Sequence, residues 1–374
     1  MSGPLGDVLE DPSVRVVVCC GAGGVGKTTT AAALGVRAAR QGRRVVVLTI
    51  DPSRRLAQAL GADPSSSEPH PVTGLVGDGS TGSLDVLVLD MRRTFDDLVR
   101  QHAGPHRAAA ILGHPLYESL STSLAGTQEY MAVERIGQLR EEMTRTGRWD
   151  LLVVDTPPSR SALEFLDAPA RLGRFLDGRL LRVLSAPARA GGRLGRKVAG
   201  QGVALGRGVV SAVLGPSLVG DVQTLLGALD TVLGGFRERA DATYAALTSP
   251  TTAWVVVGAP DDASVVESRR LLARLADDEV RPRALVVNRV VRATSTVGTG
   301  EALAAADAVE TDLGRAALTA HVERTRRARR HASVLRTLRD LVADEQVPVV
   351  VVPDSPHDAD DVQALDELAH HLVR

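Results

Sequence analysis

The residues with the clearest chemical meaning are 21–29, which read G-A-G-G-V-G-K-T-T. They follow an apolar β-branched run at 14–18 and precede an alanine-rich run at 29–40. A strand, a glycine loop and a helix in this order are the context in which a phosphate-binding P-loop occurs. Glycines let the backbone wrap closely around a polyphosphate, and the helix adds its positive N-terminal dipole. The predicted nucleotide-binding residues are Gly21, Ala22, Gly23, Gly24, Val25, Gly26, Lys27, Thr28 and Thr29.

Two side chains of this loop are expected to act on the nucleotide directly. Lys27 would place its ammonium group on the β- and γ-phosphates, and the Thr28 hydroxyl would complete the ligand shell of a Mg²⁺ ion. The chain has only two lysines, Lys27 and Lys197, so a lysine at this place in the motif is not a by-product of composition. The loop therefore predicts a nucleotide and Mg²⁺ as cofactors.

Turnover of a bound nucleotide requires an acid near the terminal phosphate, and Asp51 is the first candidate. It ends the apolar run at 43–50 and is followed by P-S-R-R-L. Ligands of open α/β sheets bind at the carboxyl ends of the strands, so Asp51 could position or deprotonate the attacking water. It could also cap a following helix that has Pro52 at its first position, and the two roles are compatible.

A second acid, Asp155, closes the run L-L-V-V-D and is followed by T-P-P. Four apolar residues and then aspartate form the Walker B pattern, in which the carboxylate holds a water molecule bound to magnesium. Many strands end in aspartate, but the presence of an upstream P-loop makes the pattern specific. We therefore predict that Thr28 and Asp155 organise the metal.

The late strand at 284–288 bears on which base is bound. A guanine-binding GTPase would carry Asn-Lys-x-Asp there, whereas this chain reads N-R-V-V from Asn288 and has no lysine beyond Lys197. Adenine, and hence ATP, is the predicted base. The amide of Asn288 could contact a purine edge, or Asn288 could simply be a turn residue that ends a strand.

Apolar β-rich runs recur along the chain with helical stretches between them. Their continuous hydrophobicity is typical of strands that are buried on both faces of a parallel sheet. The predicted fold is α/β, a doubly wound and mostly parallel sheet with an inserted helical subdomain. The predicted core comprises 1–90, 147–160 and 250–374, and the subdomain comprises 91–146 and 161–249. The predicted strands lie at 15–20, 43–50, 85–89, 151–155, 253–258, 284–288 and 348–352; 63–83 is predicted to be a mobile loop and 301–345 two helices.

Composition narrows the function classes. The net charge is −1, so the chain as a whole offers no field that selects nucleic acid or an anionic membrane. No apolar run approaches the roughly 20 residues of a membrane-spanning helix. The opening residues, 1–11, are acidic and contain Gly and Pro, unlike a signal peptide. These features predict a cytoplasmic protein with no transmembrane segment and no nucleic-acid partner.

Taken together, these motifs resemble those of the arsenite-pump and tail-anchored-protein-targeting ATPase family, in its single-P-loop actinobacterial form. The motifs that carry the resemblance are G-A-G-G-V-G-K-T-T, D-P-S-R-R-L, G-T-Q-E-Y-M-A-V-E, D-T-P-P-S-R-S-A-L-E-F-L and V-V-N-R-V. The resemblance implies a dimeric ATPase in which Asp51 orients water, Asp155 is the acid of the second switch, and Asn288 and Pro353 lie on the adenine side. It also implies that ATP binding and hydrolysis open and close helical subdomains.

Two departures from the family's pattern affect this interpretation. Its loop normally has lysine as the second residue, reaching the partner's phosphates, and here that residue is Ala22. Either another cation substitutes, or a paralogous subunit carrying the lysine pairs with this chain; our hypothesis is the heterodimer. The adjacent Cys19 and Cys20 are the only cysteines, so neither the zinc clamp of the targeting members nor an arsenite site can be built, and we interpret both as small apolar residues.

Three function classes follow from the resemblance. The first is an ATP-driven conformational switch that acts on a protein client or a membrane assembly. The second is a targeting chaperone for hydrophobic transmembrane segments, with the glycine-rich stretch 178–220 as a flexible lid. The third is a partition or septum-site ATPase. The last is disfavoured because the basic stretch 189–197 lacks interleaved aromatic residues and the C-terminal region is acidic.

Overall fold

A computed structural model gives the structure of the chain and describes residues 3–50, 60, 68–75, 82–114, 117, 127–157, 235–293, 295–355, 359 and 361–373. Asp51 and the stretch 178–220 lie outside the described residues. The chain forms two compact units. The first comprises Met1–Leu89, Leu139–Leu163 and Ala246–Arg374, and the second comprises Asp90–Gln138 and Glu164–Ala245.

The described strands of the first unit are β1 Val16–Gly21, β2 Arg44–Thr49, β3 His70–Pro71, β4 Ser83–Val88, β5 Leu151–Asp155, β6 Thr252–Gly258, β7 Ala284–Val290 and β8 Val349–Pro353. These eight strands form one sheet in the order β3-β4-β2-β5-β1-β6-β7-β8. Neighbouring strands run parallel except β3, which is antiparallel to β4. The chain passes from β1 outward in both directions, which creates a topological switch point at the centre of the sheet, where ligands bind in such folds.

The predicted α/β fold with a mostly parallel sheet is confirmed, and each of the seven predicted runs overlaps a strand. Residues of β1, β5 and β6 are buried along their whole length, which explains their continuous hydrophobicity. Two predictions need correction. The late strand does not end at Asn288 but continues to Val290 across a register shift. The stretch predicted as a loop at 63–83 contains β3, because His70 and Pro71 pair with Val86 and Asp85.

The described helices of the whole chain are α1 Pro4–Glu10, α2 Lys27–Arg40, α3 Met91–His102, α4 Pro105–Leu112, α5 Thr127–Thr146, α6 Phe236–Leu247, α7 Asp262–Asp277, α8 Thr299–Ala308, α9 Asp312–Val342 and α10 Val362–Val373. The prediction of two helices at 301–345 is confirmed by α8 and α9.

Helices of the first unit cover both faces of this sheet. On one face, α1, α2 and α10 enclose an aliphatic core that includes Leu9, Leu34 and Leu372. On the other face, α7 packs on β1 and β6, and α9 packs on β7.

The second unit is helical in its described part. It contains α3 and α4, and α5 and α6 begin in it. The ring of Phe95 stacks on Tyr117 with 5.7 Å between centroids, and the Tyr117 hydroxyl donates to Asp96 at 2.7 Å. Arg239 pairs with the buried carboxylate of Glu134 at 3.2 Å, which links α6 to α5. Of the helices that the structure describes, none has the length and apolar character needed to cross a bilayer.

Candidate functional site

The glycine loop leaves the centre of the sheet at Gly21 and enters α2 at Lys27. Gly24 and Gly26 have φ angles of 76° and 95°, a region that side chains other than glycine rarely adopt. No side chain of the described residues caps the start of α2. The first turn of this 14-residue helix is therefore an uncapped positive dipole end, which is the kind of place where proteins bind phosphate.

Lys27 is folded back across the loop. Its Nζ donates a hydrogen bond of 2.8 Å to the carbonyl of Ala22, and the residue is 6% exposed. A buried ammonium group costs free energy unless anionic or dipolar oxygens surround it. The ammonium of Lys27 therefore lies inside the loop, as a phosphate-binding lysine requires.

The carboxylate of Asp155 contacts the loop from a neighbouring strand. It is fully buried at the end of β5, and β5 lies between β2 and β1 in the sheet. Its Oδ2 atom accepts hydrogen bonds from the Thr28 hydroxyl at 2.7 Å and the Thr49 hydroxyl at 2.9 Å. Carboxylate and hydroxyl oxygens are ligands that Mg²⁺ prefers. The predicted metal-binding pair, Thr28 and Asp155, is thus in direct contact.

Thr49 was not predicted from the sequence as a site residue. It ends β2 directly opposite Asp155 in register. The next residue, Ile50, donates its N–H to the Asp155 carbonyl at 3.0 Å. Ile50 therefore lies beside Asp155, and it directly precedes Asp51 in the sequence. A polar residue at the end of a buried strand is the signal that could have identified Thr49.

Asn288, predicted on the adenine side, supports the loop in this structure. Its Nδ2 donates to the Val25 carbonyl at 3.0 Å, and its Oδ1 accepts from the N–H of Arg289 at 2.9 Å. It is 6% exposed. The nitrogen and the oxygen of this amide each have the capacity for one more hydrogen bond. The adenine contact of Asn288 stays a prediction, and the observed role is to position the loop.

Pro353 lies at the same end of the sheet. It ends β8 opposite Val290, and the N–H of Asp354 donates to the Val290 carbonyl at 3.1 Å. Val291, which follows β7, donates its N–H to Nδ1 of His331 on α9 at 3.0 Å. The structure therefore brings the two predicted adenine-side residues, Asn288 and Pro353, to adjacent strand ends.

Arg289 also contacts the loop and was missed as a site residue. Its Nη1 donates to the carbonyl of Gly24 at 3.1 Å, and its backbone has a φ of 57°. In the sequence Arg289 is simply an arginine that follows an asparagine, and this pair of residues does not predict a left-handed backbone.

The cysteines next to the loop are buried structural residues. Cys19 and Cys20 are free and fully buried. Burial raises the pKa of the Cys20 thiol to about 12, and burial together with the nearby Asp155 carboxylate raises the pKa of Cys19. A thiol with so high a pKa is not ionised near neutral pH, and only the thiolate is nucleophilic. This supports the interpretation of both as small apolar residues.

Gly26 has no room for a side chain, which gives a first testable prediction. A Cβ atom there would lie 2.2 Å from Nδ2 of Asn288, and the φ of 95° is unfavourable for alanine. We expect Gly26→Ala to lower the free energy of unfolding by about 1–3 kcal/mol and to displace the loop from its phosphate-binding shape. Chemical denaturation measures the first effect and ATP titration the second.

Gly24→Ala is the matched control. Its φ of 76° is also left-handed, but no atom of the described residues lies within 4 Å of the added Cβ, so it reports the backbone cost alone. Gly26→Ala should destabilise the protein more than Gly24→Ala does. This difference should become smaller in the double variant Gly26→Ala/Asn288→Ala, because the amide that collides with the added Cβ is absent. Equal destabilisation by the two single variants would show that the contact with Asn288 is unimportant.

Comparison with known proteins assigns the chain to a family. The family model described as "Anion-transporting ATPase" matches residues 14–312, which include the loop, Asp155 and Asn288. A protein from Chlamydomonas reinhardtii named ATPase ARSA2 is 24% identical over 296 residues, 79% of this chain and 73% of that protein. A Malassezia globosa protein named ATPase GET3 is 27% identical over 172 residues, 46% of this chain and 47% of that protein, so this alignment spans about half of that relative.

A third relative, from Aquifex aeolicus, is named putative arsenical pump-driving ATPase 1. It is 28% identical over 161 residues, which is 42% of this chain and 38% of that protein. The family match covers most of the chain, and the names of these relatives agree with the loop chemistry described above. The chain therefore belongs to the anion-transporting ATPase family and is an ATPase.

Proposed function

We propose that the chain is a Mg²⁺-dependent ATP-binding and ATP-hydrolysing conformational switch that works as one subunit of a dimer. The observation that carries the proposal is the 2.7 Å hydrogen bond from Thr28 to Asp155, because it joins the phosphate loop to an acid at the centre of the sheet. A loop that only held an anion would not need a buried carboxylate beside it, since that charge repels phosphate unless a cation lies between them.

In this proposal each site residue has one task. Backbone N–H groups of the loop and the start of α2 hold the phosphates, and Lys27 neutralises their charge. Thr28 and Asp155 would hold Mg²⁺, and Thr49 keeps the Asp155 carboxylate oriented through its 2.9 Å hydrogen bond. When bound, Mg²⁺ supplies charge stabilisation at the β- and γ-phosphate oxygens. Asp51 positions or deprotonates the attacking water.

The nucleotide is ATP, with the adenine against Asn288 and Pro353. Support comes from the pairing of β7 with β8, because Asn288 and Pro353 lie near the carboxyl ends of these adjacent strands. The GTPase motif is absent from the sequence after Asn288. The chain works in the cytoplasm, where ATP and Mg²⁺ are both available.

The inserted helical subdomain, predicted at 91–146 and 161–249, is the part that acts on a client. In this proposal it moves as ATP is bound and hydrolysed, and the client is a protein or a membrane-associated assembly. The partner subunit is a paralogue that carries the lysine missing at Ala22. A purified chain that forms an ATP-dependent homodimer with full turnover would rule out the requirement for a paralogue.

The test is Mg²⁺-dependent release of phosphate by the purified chain at its basal rate, which is below the full turnover of the proposed pair of subunits. Wild type should hydrolyse ATP in preference to GTP and should lose activity when EDTA removes the metal. Asp155→Asn should lower the Mg²⁺-dependent rate by about 100-fold, because the neutral amide is a much poorer metal ligand than the carboxylate. The variant keeps an oxygen that can accept from Thr28 and Thr49, so its melting temperature should change little.

Asp150→Asn is the control for that variant. Asp150 precedes β5 at the opposite end from Asp155 and pairs with Arg43 at 3.1 Å and Arg44 at 3.3 Å. Its removal should lower stability modestly and leave the dependence on Mg²⁺ unchanged. If Asp155→Asn retained the wild-type dependence of rate on Mg²⁺ concentration, Asp155 would not be a metal ligand.

A further inference from the structure

We infer that Arg289 is a second cation of the phosphate site, whose guanidinium contacts oxygens of the β- or γ-phosphate of bound ATP. The inference rests on the proposed function and adds to it a residue outside the glycine loop. Its basis is the position of the side chain, the conformation of the backbone and the lack of a competing carboxylate among the described residues.

The side chain of Arg289 already lies on the loop. Nη1 donates to the Gly24 carbonyl at 3.1 Å, while Nζ of Lys27 donates to the Ala22 carbonyl at 2.8 Å. Both cations therefore bond to carbonyl oxygens two residues apart in the same loop. This common location is why we assign Arg289 to the phosphates on which Lys27 acts.

No described residue fills the space beside this contact. A Cβ atom added at Gly24 would meet no described atom within 4 Å, and Arg289 itself is exposed. A guanidinium group has five N–H donors, and the bond to Gly24 uses one of them. In the described part of the chain, the other donors of Arg289 have no hydrogen-bond acceptor. When Arg289 binds an anion, the hydrogen bond to Gly24 is therefore the only side-chain hydrogen bond to a described residue that it can lose.

The backbone of Arg289 is held in an unfavourable conformation. A φ of 57° is uncommon for a residue other than glycine and is sterically costly. It coincides with the register shift between Val287 and Val290, which turns the side chain out of the regular β alternation. Asn288 fixes the peptide by accepting from the Arg289 N–H at 2.9 Å. Such strain in a non-glycine residue concentrates at ligand-binding sites, because there the side chain matters more than the backbone cost.

The charge of Arg289 has no acidic partner within the described residues, where no carboxylate forms an ion pair with it. A phosphate oxygen is a stronger acceptor than a backbone carbonyl, since charge-assisted hydrogen bonds are roughly twice as strong as neutral ones. When ATP is bound, the guanidinium should therefore donate to a phosphate oxygen in place of the Gly24 carbonyl.

The experiment compares the affinities of ATP, ADP and AMP for wild type, Arg289→Gly and Arg289→Lys, by calorimetry with Mg²⁺ under conditions of slow turnover. Arg289→Gly removes the side chain and suits the φ of 57°, so the variant should melt no lower than wild type without nucleotide. We expect its ATP affinity to fall by about tenfold to hundredfold and its AMP affinity by less than about twofold. Arg289→Lys should restore part of the loss because it keeps the charge.

Arg292→Gly is the matched control. Arg292 is an exposed arginine three residues later that lines a separate cavity of about 390 Å³ beside α9, so its loss should leave ATP affinity unchanged. If the ATP affinity of Arg289→Gly stayed close to that of wild type, the inference would be overturned, and an equal loss for ATP and AMP would overturn it too. If wild type itself bound no ATP, the proposed function would fail and the inference with it. If wild type bound ATP and Arg289→Gly bound it with the same affinity, the inference would fail and the proposed function would stand.

Discussion

Replacing Lys27 with alanine is expected to lower the affinity for Mg²⁺-ATP by about two to three orders of magnitude. The ammonium lies inside the loop, bonded to the Ala22 carbonyl at 2.8 Å, and the residue is only 6% exposed. A unit charge about 4 Å from a phosphate oxygen contributes about 4 kcal/mol at an effective dielectric constant of about 20. That energy corresponds to roughly a thousandfold in affinity. The loss in the variant should be somewhat smaller, because water can take the place of the ammonium and partly solvate the phosphate.

Titration calorimetry and the shift of the melting temperature by ATP measure this loss. Lys197→Ala, the other lysine of the chain, is the control for a general effect of removing an ammonium group. Lys27→Ala should melt close to wild type without nucleotide, because it removes a buried charge together with its contacts. A large drop in melting temperature with retained ATP affinity would contradict the role and make Lys27 a structural residue.

Asp51→Asn is expected to bind ATP nearly as well as wild type and to hydrolyse it about a hundredfold to ten-thousandfold more slowly. An acid that accepts a proton from water, or orients it, contributes this much to a rate, and asparagine cannot accept the proton. Such an acid makes its main contribution after the nucleotide is bound. The dissociation constant should therefore change only a few-fold, whereas the maximal rate should fall.

Single-turnover hydrolysis and equilibrium binding separate these two quantities. Asp63→Asn is a suitable control, because Asp63 lies 12 residues after Asp51 and is also followed by Pro and Ser, so the variant removes an aspartate from the same local sequence and leaves Asp51 intact. An unchanged rate for Asp51→Asn would assign Asp51 to capping alone. A rate and an affinity that fell together would indicate that Asp51 holds the nucleotide or the metal, and the water would then need another acid.

The sequence was sufficient to predict the parts of this site that are local in the chain. The loop at 21–29 is continuous, and three of its four glycines, Gly21, Gly24 and Gly26, have φ angles that other residues rarely adopt. Asp155 follows four apolar residues, so its place at a strand end could be read directly. The strands were found because parallel strands buried on both faces are hydrophobic throughout.

What could not be predicted depends on which strands become neighbours. Thr49 touches Asp155 only because β2 and β5 are adjacent, although 106 residues separate them. Arg289 contacts Gly24 although 265 residues separate them in the sequence. Its left-handed backbone coincides with a register shift in β7, and no residue type in this stretch predicts such a shift. Asn288 was assigned to a base because an amide suits one, whereas its amide also suits the Val25 carbonyl that the fold brings to it.

The exit of β7 also has a mechanical consequence. Asn288 holds the loop through Val25, and three residues later the N–H of Val291 is bound to Nδ1 of His331. His331 lies in the interior of the 31-residue α9, a rod about 46 Å long at about 1.5 Å per residue. We therefore expect a shift of the loop on phosphate binding to be passed through these hydrogen bonds to α9, and a long helix that tilts about His331 is displaced most at its two ends.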